Sequence, residues 1–584
     1  MEKRFLIFIF LSLVILTIYQ SLVVKPVPKP TPGATAASGS TAARTAPTAQ
    51  APQASAPAAP AETAQAVPAP AVEVAALVGD TTEHEVTVET RDVIAVFTNR
   101  GARLKSWRLK HYFNQERQPQ ELVEKTLPNE PLPFTLRTEN SVVNAAINNA
   151  LFAVTGAPAG IVDARPLDLK FEYATSAGLH AVKEFHFNPS SYVVTANIAI
   201  ADGDKRLTPS IVWGPAIGDI GEVSRYTQKA EGLLLANDKV QRADAKQLAT
   251  QSTYDGDFFT IAGVDDNYFM TAAINLRNGR VEYRLVSVPP PSGSKDPARD
   301  LVSFTITPRQ ADSPIAFFAG PKDFDVLNAT GAGMSNAINF GRFQVIVVPL
   351  LRSLKGVHEW VPNYGWSIVV LTMIINLIMF PLRHMSAKSM RKMAEIQPEV
   401  KAIQDRYAKY KATDPQKQKM NQEMMALYKE RGVNPAGGCV PVLLTMPVLL
   451  AMWALLQTSI ELRGAPWFGW IHDLSSRDPY YALPIIMGAT SLWMQRMMPA
   501  TGADPAQQKM MMFMPVFMTV MLAWLPSGAL IYYIVTNVWT IGQQYLTNYI
   551  IGPPPVRGPA RPPAERRLKR GGGGEPKLTT ANDR

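Results

Sequence analysis

The 584-residue chain has little of the chemistry on which most enzymes and disulfide-bonded proteins depend. It carries one cysteine, Cys439, so it can form no internal disulfide framework. Its seven histidines are scattered outside the long apolar stretches, and no pair has the spacing of a zinc site. No glycine-rich loop has the lysine of a phosphate-binding motif. These absences favour a protein that is not an enzyme and uses no metal or cofactor.

Charged residues are missing altogether from three long stretches, 360–382, 432–460 and 510–556. A bilayer core about 30 Å thick is crossed by roughly 20 helical residues. The first two stretches therefore predict one membrane span each. The third predicts two spans because Pro526 and Gly528 interrupt it, and a shorter apolar stretch at 480–495 predicts one more.

The beginning of the chain predicts a membrane anchor followed by a tether. Residues 5–24 are uncharged and follow Lys3 and Arg4, and the run does not end in a small-residue cleavage site. We expect residues 1–24 to be an uncleaved anchor, with cleavage in the alanine-rich stretch beyond as the weaker alternative. Residues 25–79 are mostly Pro, Ala, Thr and Ser, which predicts a disordered tether.

Residues 80–339 contain no run long enough to span a membrane. Apolar residues alternate with polar ones instead, as in Val86 and Val88 or Phe185 and Phe187, and turn signals such as Asn278-Gly279 separate these segments. This pattern predicts a water-soluble, mainly β domain, sandwich-like in form.

The remaining segments complete the predicted order along the chain. They are an amphipathic helix lying at the membrane interface at 340–361, a span at 362–383, a basic helical hairpin at 384–433, four spans at 434–548, and a basic disordered tail at 549–584. The sequence thus predicts a polytopic α-helical membrane protein with six transmembrane helices and a large extracytoplasmic β-sandwich domain. Because basic loops stay in the cytosol, both termini and the hairpin are expected there.

Polar residues recur within the predicted spans. They are Thr372, Asn376, Gln457, Gln495, Thr536 and Asn537. Such groups face either the interior of a helix bundle or a water-filled cavity. They can also serve only as interhelical hydrogen bonds, worth about 0.6–2 kcal/mol each. Composition leaves both interpretations open.

Several ordered blocks resemble the YidC family of bacterial inner-membrane insertases, within the Oxa/YidC/Alb superfamily. The blocks are Tyr364-Gly365-Trp366-Ser367-Ile368, Pro381-Leu382, Gln397-Pro398, Gln422-Glu423-Met424-Met425-Ala426-Leu427-Tyr428-Lys429, Val433-Asn434-Pro435-Ala436-Gly437-Gly438-Cys439, Ser459-Ile460-Glu461-Leu462-Arg463, Trp470-Ile471-His472-Asp473-Leu474, Asp478-Pro479-Tyr480-Tyr481, Phe513-Met514-Pro515-Val516, Pro526-Ser527-Gly528 and Tyr532-Tyr533-Ile534-Val535. The resemblance covers about 340–548 closely and the β domain more loosely.

The resemblance implies a membrane protein insertase and chaperone in the bacterial inner membrane, with a periplasmic β-supersandwich and a five-helix core around a hydrophilic groove. Thr372 and Tyr533 match family positions that contact passing substrate helices. We therefore expect a substrate groove formed by Thr372, Asn376, Gln457, Gln495, Asn537 and Tyr533. The implied partners are nascent membrane proteins, the Sec translocon and membrane lipids, and the basic hairpin and tail suggest ribosomes.

One position departs from the family. An arginine usually stands in the second span where this chain has Asn376, and no other Lys or Arg lies at a comparable depth in the sequence. This departure argues against a fixed positive charge in the groove.

A different class of function, a transporter or channel, is the alternative. That class favours internal repeats and broken half-helices around a central site, and the sequence shows no repeat.

Overall fold

The structure is a computed structural model that describes residues 76–551, apart from 115, 126, 128, 217–228, 289–298, 311–312, 332, 411–413, 434–439 and 498–504. The predicted anchor at 1–24 lies outside the described residues. So do nearly all of the predicted tether at 25–79 and most of the predicted tail at 549–584.

The amino-terminal part of the described chain is a β domain, as its alternating sequence predicts. Its strands are β1 (Ala76–Val78), β2 (Glu85–Glu89), β3 (Val93–Thr98), β4 (Arg103–Phe113), β5 (Pro119–Glu121), β6 (Thr135–Arg137), β7 (Ala153–Thr155), β8 (Leu167–Thr175), β9 (Leu179–Phe187), β10 (Val193–Asp202), β11 (Lys205–Leu207), β12 (Ser210–Ala216), β13 (Glu231–Ala236), β14 (Lys239–Ala243), β15 (Thr253–Asp265), β16 (Phe269–Val288), β17 (Arg299–Pro308) and β18 (Ile315–Pro321). Three short helices accompany them, α1 (Ser141–Asn149), α2 (Ala245–Thr250) and α3 (Phe324–Thr330).

The strands form two sheets that share one core. The larger sheet follows the order β1-β8-β9-β10-β18-β16-β15-β13-β14, with β6, β7, β11, β12 and β17 paired beside this path. The smaller sheet has the order β2-β3-β4-β5. Phe97 of the smaller sheet meets Phe185 of the larger sheet with ring centroids 4.7 Å apart, and Phe185 and Phe187 are both buried. The domain is therefore built as two facing sheets, consistent with a β-sandwich.

A buried lysine stabilises three unusual backbone positions in this core. The ammonium group of Lys183 on β9 donates hydrogen bonds to the carbonyl oxygens of Gly101 (2.6 Å), Phe134 (2.7 Å) and Ala102 (3.2 Å). All three acceptor residues have positive φ, which is strained for Ala102 and Phe134. Burial lowers the pKa of Lys183, and nearby Arg103 lowers it further. Because the group is fully enclosed, these three carbonyls replace the water that the ammonium has lost.

The helices follow the β domain in sequence. They are α4 (Gln344–Trp360), α5 (Tyr364–Glu395), α6 (Gln397–Arg406), α7 (Pro415–Glu430), α8 (Val440–Thr458), α9 (Ala482–Met497), α10 (Pro505–Met521) and α11 (Ser527–Ile551). Helix α5 begins where the side chain of Asn363 accepts a hydrogen bond from the backbone of Trp366, a normal N-cap. Its 32 residues extend about 48 Å, so it is longer than a bilayer core is thick.

Among the described residues, α5 is the one helix that is long and apolar enough to cross a membrane by length and composition alone. The apolar part of α8, Met446–Thr458, is shorter, and α9 and α10 have 16 and 17 residues. The six-span count therefore stays a prediction.

The segment predicted as a helical hairpin contains α6 and α7. Asp414 accepts a hydrogen bond from the backbone of Gln416, and Pro415 stands at the first helical position, as the sequence suggests. Ile396 and Val400 pack with Val433, and Met424, Leu427 and Tyr428 lie against them. This small core holds the two helices together.

An ionic cluster joins α4 to the β domain and to the loop after α8. The ammonium group of Lys355 lies 2.6 Å from Asp325, 2.9 Å from Glu461 and 3.2 Å from Asp323. Burial lowers the pKa of Lys355, but Glu461 and the two aspartates raise it more, so the pKa stands above its ordinary value. The lysine is therefore held in its charged form between three elements.

Candidate functional site

A cavity of about 90 Å³ lies between three helices of the apolar part of the chain. This volume has room for several water molecules. Helix α5 lines it through four residues, α8 through two and α11 through one. They are Ile375, Asn376, Met379 and Arg383, then Val448 and Leu449, and finally Tyr532.

Asn376 is buried at this cavity, and both ends of its amide are hydrogen-bonded. Its nitrogen donates to the carbonyl oxygen of Thr372, one turn earlier, at 2.8 Å. Its oxygen accepts a hydrogen bond of 2.7 Å from Nη1 of Arg383. The hydroxyl of Thr372 is used within the helix, where it donates to the carbonyl of Ile368 at 2.6 Å. The asparagine therefore serves as the acceptor for a guanidinium group.

The expectation that no other basic residue lies at the depth of Asn376 is wrong. Arg383 follows Asn376 by seven residues, which is close to two full turns, so both lie on one face of α5. Helical side chains lean toward the helix N-terminus, and this lean carries the guanidinium of Arg383 back to Asn376. The cavity therefore has a positive charge, supplied from a later position in the same helix.

A second helix also holds the guanidinium. Nη1 of Arg383 lies 3.3 Å from the hydroxyl oxygen of Thr540 on α11, and that hydroxyl donates to the carbonyl of Thr536 at 2.7 Å. The hydroxyl is thus oriented to accept from the arginine. Within the described part of the chain, no Asp or Glu forms an ion pair with Arg383. The neutral side chains of Asn376 and Thr540 therefore position the guanidinium, and no carboxylate of the described residues neutralises its charge.

The structure brings only part of the predicted groove together. Asn376 lines the cavity, and the carbonyl oxygen of Thr372, one turn earlier, accepts a hydrogen bond from its amide. Tyr533 is half-buried next to Tyr532, with ring centroids 5.9 Å apart. Asn537 is buried elsewhere on α11, where its amide donates to Ser491 (2.9 Å) and Thr490 (3.1 Å) of α9. That contact matches the interpretation of an interhelical hydrogen bond.

The two predicted glutamines do not line the cavity. Gln495 is half-buried near the end of α9. Gln457 lies about 14 Å along α8 from Val448, where its carbonyl oxygen accepts a hydrogen bond from Asn267 of the β domain. Gln457 therefore belongs to the contact between the helices and the β domain.

Sequence reasoning missed Arg383, Tyr532 and Thr540. The signal for Arg383 was present in the seven-residue spacing from Asn376, because residues two turns apart share a helix face. No comparable signal marks Thr540, since its role depends on how α11 packs against α5.

Comparison with known proteins agrees with this arrangement of a β domain and a helical part. The family profile for the YidC periplasmic domain matches residues 85–353, and the profile for the 60Kd inner membrane protein matches residues 356–552. The chain is thus a bacterial inner-membrane protein with a periplasmic β domain.

Full-length relatives identify the family. The membrane protein insertase YidC of Syntrophus aciditrophicus is 32% identical over 566 residues, covering 94% of this chain and 99% of the relative. The YidC of Citrifermentans bemidjiense is 35% identical over 559 residues, with 94% and 99% covered. A crystal structure of an active YidC insertase with its first transmembrane domain resolved aligns with a TM-score of 0.34 at 18% identity, covering 81% of this chain and 95% of that one. On the sequence matches, the chain belongs to the YidC family of membrane protein insertases.

Proposed function

We propose that this chain inserts newly made membrane proteins into the bacterial inner membrane and assists their folding there. The observation that carries the proposal is the charged cavity between α5, α8 and α11. Charged side chains are costly inside membrane helices, about 2.5–3.5 kcal/mol for an arginine at the helix centre on insertion scales, and they usually face a bundle interior or a water-filled cavity. A guanidinium held by Asn376 and Thr540 attracts the polar or acidic part of a substrate that must cross the membrane.

Exposed apolar side chains on α5 and on α10 suit the release of the substrate into lipid. Leu377 and Ile378 of α5 are largely exposed, as are Phe513 and Phe517 of α10. Surfaces of this kind are compatible with lipid and with an apolar substrate helix. We propose that the substrate's polar segment passes along the cavity while its apolar helix leaves along these faces. This route requires binding and release, without a catalytic group, metal or cofactor.

The proposed groove differs in part from the one that the sequence predicts. Asn376 is retained as a lining residue, with Thr372 as its hydrogen-bond acceptor and Tyr533 as the neighbour of Tyr532. Arg383 and Tyr532 are added because they line the cavity, and Thr540 because it contacts the guanidinium. Asn537 is assigned to helix packing and Gln457 to the β-domain contact, and Gln495 is left out because it does not line the cavity.

Reconstitution tests the function. Purified protein in liposomes is expected to insert a small single-span substrate with a short acidic tail, so that a protease added outside no longer removes the tail. Liposomes without the protein are the control, and addition of the Sec translocon measures how much further insertion that partner supports. No protected tail with either preparation, at verified protein content, would refute the proposed function.

We also propose six spans with both termini in the cytosol, based on the basic excess of the hairpin. On a background with Cys439→Ser, Val142→Cys places an exposed thiol in the β domain and Met425→Cys places one in the hairpin. An impermeant thiol reagent is expected to label the first only from the periplasmic side and the second only from the cytosolic side. Labelling of both from one side contradicts this topology.

Ribosomes are a further proposed partner, because ribosomal RNA is a dense polyanion and the hairpin exposes several lysines. Replacing Lys401, Lys409 and Lys429 with glutamine is expected to reduce co-sedimentation with ribosomes at least about tenfold. The matched control replaces three lysines of the β domain, Lys105, Lys110 and Lys125. Equal ribosome binding by both variants would contradict the proposal and leave membrane orientation as the role of the hairpin's positive charge.

A further inference from the structure

The end of α8 is held by a turn of the β domain. Asn267 lies in the turn between β15 and β16, and its side-chain nitrogen donates a 3.0 Å hydrogen bond to the carbonyl oxygen of Gln457. Gln457 is the second-last residue of α8, and carbonyls in the last turn of a helix have no partner within that helix. The β domain therefore supplies a C-terminal cap to a helix of the cavity wall.

The turn that carries Asn267 is itself rigid. The ammonium group of Lys322 donates to a carboxylate oxygen of Asp265 at 2.7 Å and to the carbonyl of Asp266 at 2.6 Å, and Lys322 and Asp265 are almost fully buried. The side chain of Asp266 accepts hydrogen bonds from the backbone of Tyr268 and Phe269. Asn267 is thus presented in a fixed position.

Arg463 forms the second half of this contact. It lies five residues after the end of α8, and its guanidinium donates to the carbonyl of Phe113 (2.6 Å) and to the side-chain oxygen of Gln120 (2.8 Å). The same guanidinium lies 5.0 Å from the centre of the Phe269 ring, within range of a cation–π interaction. Arg463 therefore ties the chain just beyond α8 to both sheets of the β domain.

The other end of the same helical segment has a weak point beside the cavity. Pro447 lies inside α8 and lacks a backbone N–H, so the helix loses one hydrogen bond there. Such positions are where helices bend. Val448 and Leu449, the next two residues, line the cavity. The segment from Pro447 to Gln457 therefore begins at a bend point beside the cavity and ends at the contacts that Asn267 and Arg463 make between α8 and the β domain, which we call the clamp.

We propose that Asn267 and Arg463 make the β domain a brace that sets the orientation of α8 and, through it, the shape of the cavity. When both contacts are absent, the segment after Pro447 turns and the side chains of Val448 and Leu449 turn with it. The β domain then acts on insertion from the periplasmic side without touching the substrate. This role goes beyond the proposed function and stands on separate residues.

The junction is polar, which suits a contact that can be altered without unfolding either part. Among the described residues, the side-chain nitrogen of Gln457 and the hydroxyl of Ser459 are buried there without a hydrogen-bond partner. Buried polar groups of this kind weaken a contact relative to apolar packing.

The test reads cavity shape directly in the full-length protein in membrane vesicles. On the Cys439→Ser background, Leu449→Cys places a thiol at the cavity, and a small soluble thiol reagent reports its accessibility. Combining Asn267→Ala with Arg463→Ala is expected to change the labelling rate about fivefold. The control pair Asn197→Ala and Arg280→Ala, which alters contacts within the β domain only, is expected to leave the rate unchanged. With Arg463→Lys, which keeps the positive charge, the labelling rate is expected to lie between those of the double variant and the control pair.

A protease added on the periplasmic side provides the second measurement, since loss of the clamp should expose the loop at 459–479 to cleavage. Faster cleavage with unchanged labelling at Leu449→Cys overturns the brace, because the domain has then separated without effect on the cavity. Unchanged cleavage with unchanged labelling overturns it as well. Unchanged cleavage with an altered labelling rate supports it, because the ion pair between Lys355 and Glu461 still ties the loop to the β domain. Neither readout needs insertion activity, so failure here is separable from failure of the proposed function.

Discussion

Replacing Arg383 with glutamine is expected to slow insertion of a substrate with an acidic polar segment by at least about tenfold. Hydrogen bonds to a charged group contribute about 1.5–3 kcal/mol, and 1.4 kcal/mol corresponds to a factor of ten. Glutamine keeps an amide donor but is shorter than arginine, so the change removes the charge together with the reach to Asn376 and Thr540. The measurement is the rate of protease protection in liposomes, at equal protein content, for substrates with acidic and with neutral tails.

A swapped pair is the matched control. Asn376→Arg combined with Arg383→Asn moves the arginine to the position where the family usually carries it and preserves one arginine and one amide. This double variant is expected to recover most of the insertion rate. Asn376→Arg alone is less informative because it places a second guanidinium beside Arg383. A normal rate for Arg383→Gln with the acidic substrate would remove Arg383 from the mechanism.

Replacing Lys183 with methionine is expected to destabilise the β domain by at least about 3 kcal/mol. Methionine fills much of the same space but cannot donate, so it leaves the carbonyls of Gly101, Ala102 and Phe134 buried without a partner, at about 1–3 kcal/mol each. The positive φ values of Ala102 and Phe134 would also lose the contacts that hold them. Denaturant or thermal unfolding of the detergent-solubilised chain, followed by near-ultraviolet circular dichroism of the β-domain tryptophans, gives the measurement.

Lys105→Met is the control for Lys183→Met. Lys105 forms an exposed ion pair with Glu85, and such pairs contribute about 0–1 kcal/mol. A loss of stability for Lys183→Met no larger than that of Lys105→Met would show that the three carbonyls find other partners.

Local sequence signals predicted much of the fold because they act over a few residues. The uncharged run at 360–382 predicted the apolar helix α5, the alternation of Phe185 and Phe187 predicted a strand, and Asp414 with Pro415 predicted the start of α7. Each of these features depends on charge, periodicity or capping within one element.

The site was predicted less well because it depends on packing between elements. Polarity alone grouped Gln457 with Asn376, yet one contacts the β domain and the other contacts Arg383. The contact between Arg383 and Thr540 joins residues 157 positions apart, which no local pattern specifies. The hydrogen bonds from Lys183 to three carbonyls could not be predicted either, because the alternating pattern of β9 does not distinguish a buried lysine from an exposed one.

The reach of Arg383 back to Asn376 also changes how relatives of this chain should be compared. An alignment column records only Asn376 and scores no charge there, whereas Arg383 supplies a guanidinium on the same face of the helix. The unit to compare is a patch of helix surface, to which positions 376 and 383 both contribute in this chain. Searches for further members that lack the usual arginine should therefore score helix faces instead of single columns.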